Sequence, residues 1–183
     1  LTVVRTTHVE VGAARTVVPY DYLVLATGSS YASDIKANNA SIAFRHEQLV
    51  AERDAIDAAK QILVVGGGLV GCEVAGEVAE AFPGKQVTLV HAHESLLPNI
   101  RGAHVLASGV LESLGVKLLL GHRLSKSDTA GAVAGGAGAF ITSKGTRIEA
   151  DKVFWCTGYT PNSQCLRDHD VSDPPFGRAL DER

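Results

Sequence analysis

Gly66, Gly68 and Gly71 stand at G-x-G-x-x-G spacing directly after the apolar run Ile62-Leu63-Val64-Val65. None of these residues is a nucleophile or a base, so the chemistry on offer is recognition. Gly66 permits a tight turn off a strand, Gly68 lets the backbone approach a ligand with no Cβ in the way, and Gly71 lets a following helix sit close on the strand. A ligand held there would meet the unbonded N–H groups and the positive dipole end of that helix, which suits a pyrophosphate. On its own the motif is weak, because glycine turns also serve merely to pack a helix on a strand. Its flanks strengthen it. Cys72 to Glu80 is acidic, alanine-rich and helix-like, and Gln86-Val87-Thr88-Leu89-Val90 is a second apolar run. Strand, glycine turn, helix and strand, in that order, make the first half of a dinucleotide-binding unit.

His91 follows the second run, at the place where an acidic residue would bond the ribose 2′-hydroxyl of NAD. His91 and His93 would tolerate a 2′-phosphate while Glu94 opposes one, so the choice between NADH and NADPH stays open. As metal ligands, His91-x-His93 lacks further partners nearby and reads as a loop. The three cysteines, Cys72, Cys156 and Cys165, form no C-x-x-C and are read as reduced, mostly buried thiols. A helix start can lower a thiol pKa, but a packed core residue is the better reading of Cys72. No Ser/His/Asp or Cys/His catalytic set stands out.

These residues need elements to position them. Thr2 to Val11 alternates like a strand, Gly12-Ala13-Ala14 turns it, and Thr16-Val17-Val18 suggests its partner. Tyr20 to Ala26 is expected to be a third strand, its continuous apolar centre buried on both faces. It ends in the small polar turn Thr27-Gly28-Ser29-Ser30, and ligands sit at such strand ends in open α/β sheets. Arg45 to Lys60 predicts a helix with Leu49, Val50, Ile56 and Ala59 as its apolar stripe. Residues 102–114 predict another, with Val105, Leu106, Val110, Leu111 and Leu114 at helical spacing and Gly115 as its stop. Val116 to Leu120 is a strand. Residues 125–139 read as a flexible loop between antiparallel strands, followed by a hairpin around Ser143-Lys144-Gly145. Lys152 to Cys156 is a buried-type strand that ends, like Ala26-Thr27-Gly28, in Thr157-Gly158.

Composition bounds the rest. With 45% hydrophobic and 20% charged residues, the 183-residue chain is globular rather than disordered. A net charge of -3 and no Lys/Arg cluster argue against nucleic acid as a partner. No apolar stretch approaches the roughly 18 residues of a membrane span. The chain begins at Leu1 and has no methionine, so we read it as part of a longer product.

Tyr20-Asp21-Tyr22-Leu23-Val24-Leu25-Ala26-Thr27-Gly28, the 61–90 segment and Val153 to Asn162 together resemble the two-dinucleotide-binding-domain flavoproteins, the pyridine nucleotide-disulfide oxidoreductase superfamily. The first resembles that family's Y-D-x-L-x-x-A-T-G strand, the second the entry to its NAD(P) domain, and the third its T/A-x-G-x-x-P-N exit. Gly71 to Glu77 and Val87 to His91 look like the apoptosis-inducing-factor-like and type II NADH dehydrogenase branch. The resemblance implies an α/β fold: a Rossmann-like NAD(P)-binding domain inserted in a partial FAD-binding domain, with a small antiparallel meander. It implies a partial FAD domain at 1–33, a linker and helix at 34–60, the NAD(P) domain at 61–152 and a return into the FAD domain at 153–183.

By the same resemblance the cofactors are FAD and NAD(P)H, with hydride passing from the nicotinamide to the flavin and on to a quinone or other small acceptor. Glu73 or Glu77 would lie near the nicotinamide, although both also suit the helix dipole. Thr27 and Gly28 would approach the FAD, and Thr157 and Gly158 would cap the NAD(P)H from the side opposite the glycine turn. The family's FAD-binding G-x-G-x-x-G and its closing G-D motif are not in this sequence. A disulfide reductase within the family and a non-catalytic nucleotide-binding module are the alternatives. The T-G turns, which a plain nucleotide module does not need, favour the oxidoreductase. A cytoplasmic location is expected, with peripheral membrane contact or an organelle left open; the oligomeric state is not given by the sequence.

Overall fold

The structure is a computed structural model that describes residues 8–11, 16–19, 24, 26–31, 41–124, 129–130 and 137–162. The chain divides into a smaller unit, residues 1–29 with 160–183, and a larger one, Ser30–Tyr159. In the smaller unit β1 (His8–Val11) and β2 (Thr16–Pro19) form the expected antiparallel hairpin, with Val9 opposite Val18. Most of the strand expected over Tyr20 to Ala26 lies outside the described residues. Val24 and Ala26 to Gly28, which are described, have no regular structure, and Val24 is exposed rather than buried. Regular pairing resumes only at β3 (Ser29–Tyr31).

In the larger unit α1 (Ile42–Ala58) starts three residues before the expected Arg45, because the Ser41 hydroxyl caps it by accepting the Phe44 N–H at 3.2 Å. Then come β4 (Gln61–Val65), α2 (Leu69–Ala81), β5 (Gln86–His91), α3 (Ala103–Ser113) and β6 (Lys117–Leu120). Next are β7 (Thr129–Ala130), β8 (Gly138–Ile141), β9 (Arg147–Ala150), β10 (Lys152–Trp155) and β11 (Tyr159–Pro161), the last shared with the smaller unit. β10, β4, β5 and β6 lie side by side in that order as a parallel sheet. β7, β8 and β9 form an antiparallel sheet, and β11 pairs with β3.

β4 explains the layering. Its side chains alternate between faces, as a strand's must. Ile62 and Val64 pack with Val87, Leu89 and Phe154 against Ala75 and Val78 of α2 and Leu111 of α3. Leu63 and Val65 pack on the other face with Val90 and Val153 against Phe140, Ile148 and Ala150 of the antiparallel sheet. Both faces are covered, so the run from Ile62 to Val65 is apolar without interruption. Phe140, 1% exposed, stands edge-on to Trp155 with ring centroids 6.5 Å apart.

Two helices differ from their sequence reading. On α1, Leu49 and Val50 face solvent, and only Ile56 and the capping Ala59 reach the core. α1 docks by its C-terminal end and by polar contacts: Glu52 pairs with Lys152 of β10 at 2.8 Å, and the Asp151 carboxylate accepts the Lys60 and Gln61 amides at 2.8 and 2.9 Å. Those two bonds, and the nearby Lys60 charge, hold Asp151 below the usual carboxylate range. On α3, Leu111 is buried and Ala107 packs beside it, while Val105, Leu106, Val110 and Leu114 are exposed. The buried line is narrow because a small residue and one leucine suffice to seat α3 beside α2. α3 ends as expected at Gly115: the Gly115 N–H bonds the Glu112 carbonyl and the Val116 N–H bonds that of Leu111, both at 2.9 Å, the hydrogen-bond pair of a Schellman end.

The larger unit continues to Tyr159. β10 pairs with β4, Val153 opposite Leu63, and completes the parallel sheet. The helix placed in the 34–60 linker belongs to this unit too. The hairpin around Ser143 to Gly145 forms as expected, closed by the Thr142 amide on the Thr146 carbonyl at 3.0 Å. Of the expected loop over 125–139, residues 125–128 and 131–136 lie outside the described residues, and Thr129–Ala130 pairs with β8.

Candidate dinucleotide site

From β4 the chain runs through α2 to β5 and through α3 to β6, always to one side; β10 joins on the other. The C-terminal ends of β4 and β10 therefore border the place where strand order reverses, the usual ligand crevice of such sheets. Backbone pairing continues past both strand ends. The Gly66 N–H donates to the Val90 carbonyl and the Cys156 N–H to that of Val65, each at 2.8 Å. Gly66, with φ 112°, lies so close to β10 that a Cβ on it would overlap the Cys156 carbonyl oxygen. A Cβ on Gly71 would overlap the Gly66 carbonyl oxygen, so α2 can start here only on glycine. Gly68, which caps α2, has nothing within 4 Å of where its Cβ would be. The first helical bond is the Cys72 N–H to the Gly68 carbonyl at 3.0 Å, and the preceding amides have no acceptor within the helix. Open space at Gly68 in front of these donors fits a pyrophosphate.

Gly67, which the motif leaves unspecified, is fixed as firmly as its neighbours. Its N–H donates to His91 Nδ1 at 3.0 Å, and its carbonyl accepts the Leu97 N–H at 2.9 Å with the Cys72 Sγ 3.6 Å away. A Cβ here would meet Leu96 Cδ2 at 2.6 Å and His91 Cγ at 2.8 Å. The third glycine in Gly66-Gly67-Gly68 was the available signal. His91 thus sits beneath the turn. Burial first, and His93 second, push its pKa down, and its Nε2 is buried with no hydrogen-bond partner among the described residues.

The structure brings Gly66, Gly68, Gly71 and His91 together, with Thr157 beside Gly66: the Thr157 nitrogen would lie 3.3 Å from a Gly66 Cβ. Thr157 and Gly158 are exposed, as are Glu73 and Glu77 on α2. Burial pushes up both thiols at the turn. Cys72 is raised further by Glu73, and Cys156 reaches about 11 with Cys72 as the lesser cause, so both are protonated at neutral pH. Thr27 and Gly28 belong to the smaller unit. Both are exposed, and their carbonyls accept the Asn162 side-chain Nδ2 at 3.1 Å and the Asn162 N–H at 2.9 Å. Cys165 lies outside the described residues. No described helix is long and apolar enough to cross a membrane.

Ferroptosis suppressor protein 1 of Taeniopygia guttata is 34% identical over 154 residues, 79% of this chain and 40% of that protein. Apoptosis-inducing factor homolog B of Dictyostelium discoideum is 29% identical over 171 residues, 82% of this chain and 44% of that protein. The chain spans about two fifths of these relatives' length. Among solved structures, the water-forming NADH oxidase from Lactobacillus brevis, bound to NADH, is similar over 83% of this chain and 34% of its own, with a TM-score of 0.60 and 27% identity. A family model described as pyridine nucleotide-disulphide oxidoreductase matches residues 2–174, and the chain belongs to that family.

Proposed function

We propose that this chain is the NAD(P)H-binding part of a flavin-dependent oxidoreductase that passes hydride from NAD(P)H to FAD and on to a quinone or other small acceptor. The observation that carries the reading is the glycine turn at the β4–β10 switch point, with open space at Gly68 before the unbonded amides that start α2. The pyrophosphate would be held by those amides and by the helix dipole. Hydride donation and acceptance are supplied by the two cofactors when bound; the chain's part is to fix the nucleotide and shield it from water. Thr27 and Gly28, exposed in the smaller unit, are the residues we assign to the flavin side. The relatives include a protein whose structure holds NADH, which supports the nucleotide half of the reading.

The test is titration of the purified protein with NADH and with NADPH by calorimetry, beside the Gly68→Val variant. Gly68 has extended backbone angles (φ −81°, ψ −170°) and open space, so valine should leave the fold and its circular dichroism unchanged while filling the ligand's approach. We expect saturable binding in the parent protein and a loss of at least about tenfold, about 1.4 kcal/mol, in the variant. Equal affinity in the two would remove the turn from the site. Nucleotide binding with no NAD(P)H oxidation when FAD and a quinone are supplied would instead support a non-catalytic module.

A further inference from the structure

We propose that His91 is a positioning residue of the nucleotide turn: by accepting the Gly67 amide its neutral imidazole holds the turn in its binding shape, and protonation of the ring releases it. This rests on the nucleotide reading above. A peptide unit is planar and trans, so its N–H and C=O point in opposite directions. With the Gly67 N–H directed at His91 Nδ1, the Gly66 carbonyl of the same unit points away from that ring, toward Gly71, where it leaves no room for a Cβ. With the Gly67 carbonyl directed at the Leu97 N–H, the Gly68 N–H of the next unit points the other way. Two bonds, one from His91 at the end of β5 and one from Leu97 in the loop that follows, therefore set both peptide units of the turn. That loop is itself braced at its middle by the Leu96 N–H, which donates to His104 Nδ1 at 3.1 Å.

An amide only donates, so Nδ1 must keep its lone pair and the His91 proton must sit on Nε2. A second proton would set N–H against N–H. The titratable groups around the ring are His93, with ring centroids 5.1 Å apart, Cys72 from α2 at the Gly67 carbonyl, and His122, whose amide bonds the His91 carbonyl at 2.9 Å. Glu94 pairs with Lys144 at 3.5 Å. Burial and His93 both disfavour the cation, which keeps the ring an acceptor at neutral pH. The sign follows. The bond is intact above the ordinary imidazole value of about 6.5 and is lost as pH falls through the lower value of the folded protein. A cation that merely lay near the phosphates would do the opposite and tighten binding in acid.

The experiment is calorimetric titration of the purified protein with NAD⁺, which has no group titrating in this range, at pH values from 7.5 down to 5.5. Affinity should fall with acid, by at most about tenfold per pH unit for one proton. His91→Ala should weaken binding about tenfold at pH 7.5. His91→Asn, whose amide oxygen can stand where Nδ1 stands but does not titrate, should recover most of that loss and bind with no acid dependence. Acid loss in His91→Asn equal to the parent's, or tighter parent binding in acid, would overturn the proposal. Nitrogen-15 spectra of histidine-labelled protein read the tautomer without any nucleotide: the Nε2–H form of His91 at pH 7.5 is required, and the Nδ1–H form refutes the proposal even if no variant folds. Absent NAD⁺ binding with the Nε2–H form present would sink the nucleotide reading and leave the latch standing.

Discussion

Gly71 shows how a single atom decides the site. Its missing Cβ is the space that the Gly66 carbonyl oxygen occupies, and that oxygen is backbone, held on the far side by the Gly67 peptide. A neighbour of that kind cannot rotate away as a side chain would. Gly71→Ala should therefore push α2 off β4 and cost at least about 3 kcal/mol, the upper end of core overpacking. The shift of the urea midpoint measures it, and a midpoint within a few tenths molar of the parent's would contradict the close approach. Gly66, Gly68 and Gly71 were legible from spacing alone, because all three lie in one short turn; a Cβ on Gly66 or Gly71 would strike backbone, while Gly68 faces open space. The bond from Gly67 to His91 was not. It joins residues 24 apart in sequence, and only the pairing of β4 with β5 brings them together.

The elements divide the same way. β4 and β10 could be read from uninterrupted apolar runs, and β5 from a run broken only by Thr88, because a strand covered on both faces has no polar side to mark. α3 could be located but not oriented. Apolar residues lie on both its sides, and helical spacing cannot say which side the sheet will cover. The structure makes Leu111 the anchor, 3% exposed, and leaves Leu106 in solvent, 73% exposed. Leu111→Ala should then cost about 2–5 kcal/mol, while Leu106→Ala should stay within about 0.5 kcal/mol of the parent. Parallel thermal melts decide it, and equal losses would mean that the outer face of α3 is covered in solution. The family resemblance places Val153 onward in the return segment through its T/A-x-G-x-x-P-N pattern. What places β10 in the central sheet is its register against β4, which no local pattern contains.

At the scale of the molecule, the glycine turn lies within the larger unit. Bound nucleotide stabilises the fold that holds it, by about 2.7 kcal/mol at a hundred times the dissociation constant. Amide exchange over residues 66–72 and the strands beneath them should slow on adding NADH, while the β1–β2 hairpin, in the smaller unit, should exchange as before. Hydrogen-exchange mass spectrometry distinguishes these, and uniform slowing along the chain would show that the two units unfold as one. The structure makes Ser30–Tyr159 one continuous unit between two segments, residues 1–29 and 160–183, of the other. The chain leaves the larger unit within β11, which pairs with β3.

At that crossing the rings of Tyr31 and Tyr159, one just after the start of the larger unit and one at its end, lie 6.0 Å apart between centroids. A segment whose two ends meet is nearly a closed ring. Such a piece can be lifted into a different host at an exposed turn without prising that host open, and a short bridge between its ends would let it be cut afresh elsewhere. The span from Ser30 to Tyr159 thus has the geometry of a cassette: heredity can shuffle it whole, and a protein engineer can circularly permute it with its glycine turn intact.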